Sequence, residues 1–163
     1  MFRVTAAVAL AATAYVGLEG AYAASEPKAQ DGGGAARRPN IVLILADDLR
    51  WNALGWMGNS IVRTPHLDEL AAHGAVFTNA FCTTSICSIS RASMLTGQYE
   101  RRHGIDDFGT PLSDEQFSKT FPALLRAAGY RTGFVGKWGL GGALPRAHYD
   151  FFTGFEGQGL YFP

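Results

Sequence analysis

Residues 40–48 read NIVLILADD, and this stretch decides the fold class. Apolar residues, three of them β-branched, fill positions 41–46, which is typical of a parallel strand covered on both faces. The run ends abruptly at Asp47 and Asp48. In open α/β sheets, sites gather just beyond the carboxyl ends of the strands, so this pair of carboxylates lies where a site is expected.

Helices and strands alternate along the rest of the chain. A proline after Thr64 and a later Gly74 bound the first predicted helix, since proline suits a helix start and glycine a helix stop. Apolar spacing and further glycines predict helices over 65–73, 90–96 and 121–128, and strands over 75–81 and 130–135. The order predicts an α/β fold, a three-layer sandwich with a mostly parallel sheet.

Composition excludes several classes of protein. The chain has 163 residues, 47% of them hydrophobic, and 14 basic residues balance 14 acidic ones. A disordered chain would be poorer in apolar residues, and a nucleic-acid-binding module would carry a basic excess. Two cysteines are too few for a disulfide scaffold. Zinc-site, GxSxG and phosphate-loop motifs do not occur in the sequence.

The N-terminus has the pattern of a secretory signal peptide. A positive start, an alanine-rich apolar run and Ala21-Tyr22-Ala23 predict residues 1–23 as the signal, with cleavage after Ala23. The run of about fifteen apolar residues is short for a membrane span, which needs about twenty, although a retained anchor is the alternative. A flexible linker is expected over 24–38, and the folded part over 39–163. The protein is therefore expected to be periplasmic or secreted, without stable membrane insertion.

Two further positions offer chemistry toward an anion. Cys87 precedes a predicted helix whose N-terminus favours negative charge, and the guanidinium of Arg91 suits a tetrahedral oxyanion. Lys137 is a compact cation at a strand end between glycines. His103, in a predicted loop, is a further candidate for holding an anion. Taken alone, each has an ordinary structural interpretation, as a buried cysteine or an exposed basic residue.

Four segments in order resemble the N-terminal part of a type I sulfatase of the alkaline-phosphatase-like superfamily. They are PNIVLILADDL from Pro39, TPHLDELAAHGAVFTNAF from Thr64, CSISRASMLTGQY from Cys87 and AGYRTGFVGKW from Ala128. Together they cover nearly the whole predicted mature chain, at spacings similar to those of the family.

The resemblance implies a role for each candidate residue. Asp47 and Asp48 would bind the catalytic calcium, and Cys87 would be oxidised to formylglycine, whose oxygen completes the metal shell. Arg91 would steady the formylglycine hydrate, and Lys137 would contact the sulfate. The implied partners are a sulfated small molecule or glycan as substrate and a formylglycine-generating or sulfatase-maturating enzyme.

The implied reaction explains why the cysteine must be modified. A hydrated aldehyde carries two hydroxyl groups on one carbon, so one attacks the sulfur and expels the alcohol. The second, once deprotonated, expels sulfate as the aldehyde re-forms, a route that a thiol lacks. Calcium would activate the attacking hydroxyl and neutralise sulfate charge.

The sequence departs from the family pattern at three places. Ile89 stands where proline or alanine is usual in the modification motif, and Gly139 stands where many members have histidine. The resemblance ends at Pro163, short of a full catalytic domain, so the chain is expected to be an N-terminal fragment. The alternatives are a phosphodiesterase or phosphonate hydrolase of the same superfamily, and a non-catalytic truncated relic. Cys82 is predicted to be a packing residue.

Overall fold

The computed structural model describes residues 9–11 and 38–160, and the fold class is α/β, as the sequence predicts. The chain divides into two compact units, one containing described residues up to 78 and the other containing residues 79–160. The strands are β1 (Ala9–Ala11), β2 (Ile41–Leu43), β3 (Gly133–Lys137) and β4 (Phe151–Phe155). The α-helices are α1 (Pro65–His73), α2 (Cys87–Thr96), α3 (Glu100–His103), α4 (Asp114–Ser118) and α5 (Phe121–Ala127), with single 3₁₀ turns at Gly55–Met57 and Arg146–His148.

The first unit corrects the prediction made from the apolar run. Strand β2 is shorter than predicted, and it pairs with β1 in antiparallel register, with Leu10 opposite Val42. Its three side chains are 44–52% exposed, whereas a covered parallel strand was expected. The apolar run indicates a strand, but the direction of pairing depends on the neighbouring strand. An antiparallel neighbour such as β1 can be connected without a crossover helix. Apart from β1 and Arg38, the predicted signal peptide and linker lie outside the described residues.

Helix α1 confirms the prediction for 65–73 and is tied to the turn before it. The Thr64 hydroxyl accepts from the backbone N–H of Gly55 at 2.9 Å and donates to Asp68 at 2.9 Å. Asp68 also accepts from the N–H of Trp56 at 2.8 Å. Thr64 is the N-cap residue but makes no side-chain cap hydrogen bond, and its hydroxyl instead fastens the helix start to the preceding 3₁₀ turn.

The strand predicted over 75–81 is wrong. This segment contains a turn and no strand, and it lies where the chain passes from one unit to the other. Its apolar and polar residues alternate, but a strand also needs a neighbour that satisfies its backbone groups. Within the described parts of the chain, no ladder includes these residues.

The second unit contains a parallel strand pair. Strand β3 pairs with β4 so that Lys137 lies opposite Phe155. The strand predicted over 130–135 forms over Gly133–Lys137, so it begins three residues later and ends two residues later than predicted. Asp150 fixes the start of the ladder, because it accepts from the N–H of Thr132 at 2.8 Å and from Arg126 at 2.9 Å. These contacts, the backbone N–H first, lower the pKa of Asp150.

The core of the second unit is largely aromatic. Its buried residues are Ala92, Ile105, Phe117, Trp138, Leu140 and Tyr149. Trp138 follows Lys137 in sequence and Ala92 follows Arg91, so two candidate site residues are each adjacent to a core residue. Close packing of these neighbours restricts the backbone positions of the two basic residues. Among the described residues, no helix is long and apolar enough to span a bilayer.

Candidate active site

Helix α2 places Cys87 at its first position. The helix begins three residues earlier than predicted, with Ile86 in extended conformation before it and no side-chain cap. The Cys87 side chain is half-buried, while Ser88 and Ile89 are buried. The first N–H groups of a helix lack intrahelical acceptors, and together with the helix dipole they favour an anion. The thiol therefore lies at an end of the helix that favours negative charge.

Lys137 is the last residue of β3 and contacts Cys87. Its ammonium Nζ donates to the Cys87 Sγ at 3.6 Å. The lysine is half-buried and Trp138 after it is buried, so the strand delivers the ammonium from a fixed backbone. The sequence predicted that Lys137 lies at a strand end beside an anion site, and the structure brings it next to the thiol.

Arg91 joins the helix to the end of the strand. It lies one turn after Cys87, and its Nη1 donates to the backbone carbonyl of Lys137 at 2.7 Å. A hydrogen bond from a charged donor is stronger than a neutral one. Arg91 therefore holds the backbone of Lys137 against α2, a contact that the sequence did not predict.

Gly139 lets the arginine and the lysine approach each other. Its φ is +61°, a left-handed conformation, and a Cβ placed there would lie 3.1 Å from both Arg91 Nε and Lys137 Cε. Glycine is the residue that adopts this backbone and leaves this space open. The side chains of Arg91 and Lys137 thus occupy the space that a side chain at residue 139 would need.

We expect Gly139→Ala to lower the free energy of unfolding by about 1–2 kcal/mol, because alanine is strained at positive φ. It should also displace Lys137 or Arg91 by crowding. Urea unfolding measures the first effect. Gly142→Ala is the matched control, since a Cβ at Gly142 has no atom within 4 Å and its φ is not positive. Equal stability of the two variants would contradict this account.

Gln158 is a site residue that sequence reasoning missed. Its Oε1 accepts a hydrogen bond from Lys137 Nζ at 2.6 Å. The only signal in the sequence is its place between Gly157 and Gly159 shortly after a strand, which resembles the glycine-flanked setting of Lys137. The sequence does not reveal that Gln158 lies beside Lys137, because the two residues are brought together by the pairing of β3 with β4.

His103 does not belong to an anion site. It ends helix α3, is 3% exposed, and its ring nitrogens contact the Ser93 hydroxyl and the N–H of Ile105, both at 3.0 Å. Burial lowers the pKa of His103. Its Nδ1 must accept from a backbone N–H, which fits a neutral ring. The expectation of a loop histidine that holds an anion is therefore wrong.

Cys82 makes local contacts, as expected of a packing residue. Its thiol donates to the carbonyl of Thr84 at 3.2 Å and to the hydroxyl of Ser90 at 3.3 Å. Neither Cys82 nor Cys87 forms a disulfide within the part of the chain that the structure describes.

Asp47 and Asp48 form an exposed turn in the first unit. Asp48 has a φ of +52°, which is uncommon outside glycine and is often retained at functional sites. Adjacent carboxylates are the kind of oxygen donor that calcium prefers. Two carboxylates supply at most four of the six to eight oxygens that calcium takes, so the pair fits calcium in chemistry and needs further ligands.

Comparison with known proteins identifies the family. A sequence model of the family described as Sulfatase matches residues 39–159. An N-acetylglucosamine-6-O-sulfatase of Bacteroides thetaiotaomicron is 34% identical over 77% of this chain and 22% of its own length. Arylsulfatase A of Homo sapiens is 42% identical over 71% of this chain and 24% of its own length.

One solved structure agrees with the expected fold. It holds its protein in complex with its substrate D-glucosamine-2-N,6-O-disulfate, and it matches with a TM-score of 0.54 and 32% identity. The match covers 60% of this chain and 19% of the solved one. The chain spans about a quarter or less of the length of the curated relatives it matches. By its family match and its relatives, the chain belongs to the sulfatase family.

Proposed function

We propose that this protein hydrolyses sulfate esters with a formylglycine formed from Cys87. The observation that carries the proposal is the contact of the Lys137 ammonium with Cys87 Sγ, 3.6 Å apart, in a chain of the sulfatase family. The thiol lies at a helix N-terminus, so the attacking group and an anionic ester would share an electropositive corner.

Each residue of this electropositive region beside Cys87 has a distinct role. The Lys137 ammonium stabilises the charge that develops on the sulfate oxygens, together with the first N–H groups of α2. Arg91 fixes the end of β3 through the carbonyl of Lys137, so the backbone that carries the ammonium need not rearrange during the reaction. The buried Trp138 and Ala92 restrain the two backbones from the core side.

Formylglycine and calcium complete the proposal. In its hydrated form, formylglycine at position 87 would supply a hydroxyl for attack on sulfur, with the alcohol as leaving group. Its second hydroxyl, once deprotonated, would expel sulfate as the aldehyde re-forms. Calcium would be held by Asp47 and Asp48, whose carboxylates match its preference for oxygen, and would neutralise sulfate charge. The maturing enzyme would be a formylglycine-generating or sulfatase-maturating enzyme.

A sulfated glycan is the substrate class that we propose first. Two of the relatives are named as sulfatases of N-acetylglucosamine and N-acetylgalactosamine, and the solved structure holds a sulfated glucosamine. Other relatives are named steryl-sulfatases, so small sulfated molecules form the second class to assay. We further propose export to the periplasm or the medium, with residues 1–23 removed as a signal peptide.

The proposal is tested on the whole protein, produced together with a formylglycine-generating enzyme. Rates are measured on a sulfated sugar, an aryl sulfate and the matching phosphate esters, with calcium present and after chelation. We expect sulfate esters to be cleaved at least about 100-fold faster, with loss of activity on chelation. Faster cleavage of the phosphate esters would favour the phosphodiesterase alternative. No turnover by protein in which position 87 is modified would favour the relic.

Modification at Cys87 has a mass signature. We expect the tryptic peptide of residues 64–91 to be lighter by about 18 Da than its sequence mass, because an aldehyde replaces the thiol. Tandem mass spectrometry must place the loss at Cys87. Cys82 lies in the same peptide and should keep its thiol, which makes it an internal control. An intact thiol at Cys87 in protein from the native host would refute the proposed chemistry.

A further inference from the structure

We infer that Gln158 is a positioning residue that aims the Lys137 ammonium at the anion site, an inference that rests on the proposed function. The amide oxygen of Gln158 accepts from Lys137 Nζ at 2.6 Å, and the same Nζ donates to Cys87 Sγ at 3.6 Å. A lysine side chain has a long flexible stem, so its charge is placed only where a partner restrains it. The contact with Gln158 is such a restraint.

The parallel ladder brings Gln158 to this place. Strands β3 and β4 end together, because Lys137 pairs with Phe155 and the N–H of Trp138 donates to the carbonyl of Phe155 at 3.1 Å. The segment that leaves β4 therefore starts beside the residue that carries the ammonium. Carboxyl ends of neighbouring parallel strands commonly form a site in this way.

Two glycines fix the backbone on both sides of Gln158. Gly157 and Gly159 have φ of +58° and +74°. A Cβ at Gly159 would lie 2.6 Å from the ring of Phe155, so this glycine packs directly on the last residue of β4. The turn is thus tied to the strand, and the side chain of Gln158 starts from a defined position.

The chemistry of an amide suits this task. The Gln158 oxygen orients the ammonium but carries no formal charge, so this contact does not itself neutralise Lys137. A carboxylate in the same place would neutralise the ammonium and repel the sulfate. A glutamate of the same shape therefore separates the effect of charge from that of position.

The test compares Gln158→Ala and Gln158→Glu with the parent in the whole, matured protein. Binding of inorganic sulfate is measured by calorimetry, and kcat and KM are measured on the sulfate ester. We expect Gln158→Ala to weaken sulfate binding and lower kcat/KM by about 3- to 10-fold. Gln158→Glu should weaken sulfate binding by at least about 10-fold, and added salt should reduce that difference.

Gln98→Ala is the matched control, because Gln98 is a half-buried glutamine whose backbone N–H donates to the Thr96 hydroxyl at 3.3 Å, away from the proposed contact with Lys137. Its sulfate binding should stay within about 2-fold of the parent's. A purely structural role for Gln158 would leave sulfate affinity unchanged in the isosteric glutamate variant, and that result would overturn the inference. If the parent bound sulfate but did not cleave the ester, the proposed function would be contradicted. The inference on Gln158 would still be tested by the sulfate affinities of the variants. Absence of sulfate binding by the parent would overturn both.

Discussion

Replacement of Cys87 by alanine is expected to lower kcat/KM for sulfate esters by about a thousand-fold or more, because alanine has no sulfur or oxygen atom that could be oxidised to an aldehyde. Alanine is a sharper variant than serine, since a serine hydroxyl can itself be oxidised to the same aldehyde. Steady-state kinetics on the whole protein measure the loss, and the thermal midpoint shows that the fold is kept.

Cys82→Ser is the control for this prediction. Cys82 is the second cysteine of the sequence, and its contacts are with Thr84 and Ser90. A serine hydroxyl can donate to the same acceptors, so activity should stay within about 3-fold of the parent and stability within about 1 kcal/mol. Retention of a tenth or more of the parent activity in Cys87→Ala would contradict a role for formylglycine.

Helices with explicit boundary signals could be predicted from the sequence. A proline at the start and a glycine after the end placed α1, and a glycine near the end placed α5, each to within one residue. Helix α2 begins at Cys87, although residue 90 was expected. Serine is a weak helix former, but Ser88 is fully buried here, so packing outweighs local preference over this first turn.

Strands were harder to predict because pairing is non-local. Residues 75–81 alternate and form no strand, whereas the unpredicted β4 (Phe151–Phe155) does form one. What distinguishes β4 is its neighbour. Asp150 binds the N–H of Thr132 and so sets the register with β3, and no local pattern in the sequence reveals that contact.

The site could be predicted in part. A predicted helix start pointed to Cys87. A predicted strand end pointed to Lys137, since sites gather at the carboxyl ends of parallel strands. The carbonyl contact of Arg91 and the amide contact of Gln158 could not be predicted, because each joins residues that only the folded backbone brings together. His103 was misassigned because composition alone does not distinguish an exposed histidine from a buried one.

Lys137→Ala is expected to lower kcat/KM by about 100- to 1,000-fold, the usual effect of removing one preorganised donor from a developing oxyanion. The ammonium contacts the position of the nucleophile directly, so the loss should fall on kcat as well as on KM. Lys137→Arg should restore only part of the activity. The guanidinium is larger, and Arg91 Nε and Lys137 Cε both already lie 3.1 Å from the point where a Cβ of residue 139 would stand, so little room is left there.

Lys119→Ala is the matched control, because it removes a lysine ammonium from a different setting. Lys119 forms an ion pair with Glu115 one turn earlier at 2.7 Å, and both side chains are largely exposed. Exposed pairs of this kind contribute little to stability, so activity should stay within about 2-fold of the parent. If both lysine variants lost activity equally, the effect would reflect the overall charge of the protein. A loss confined to Lys137→Ala, greater at low than at high ionic strength, would place the electrostatic stabilisation beside residue 87.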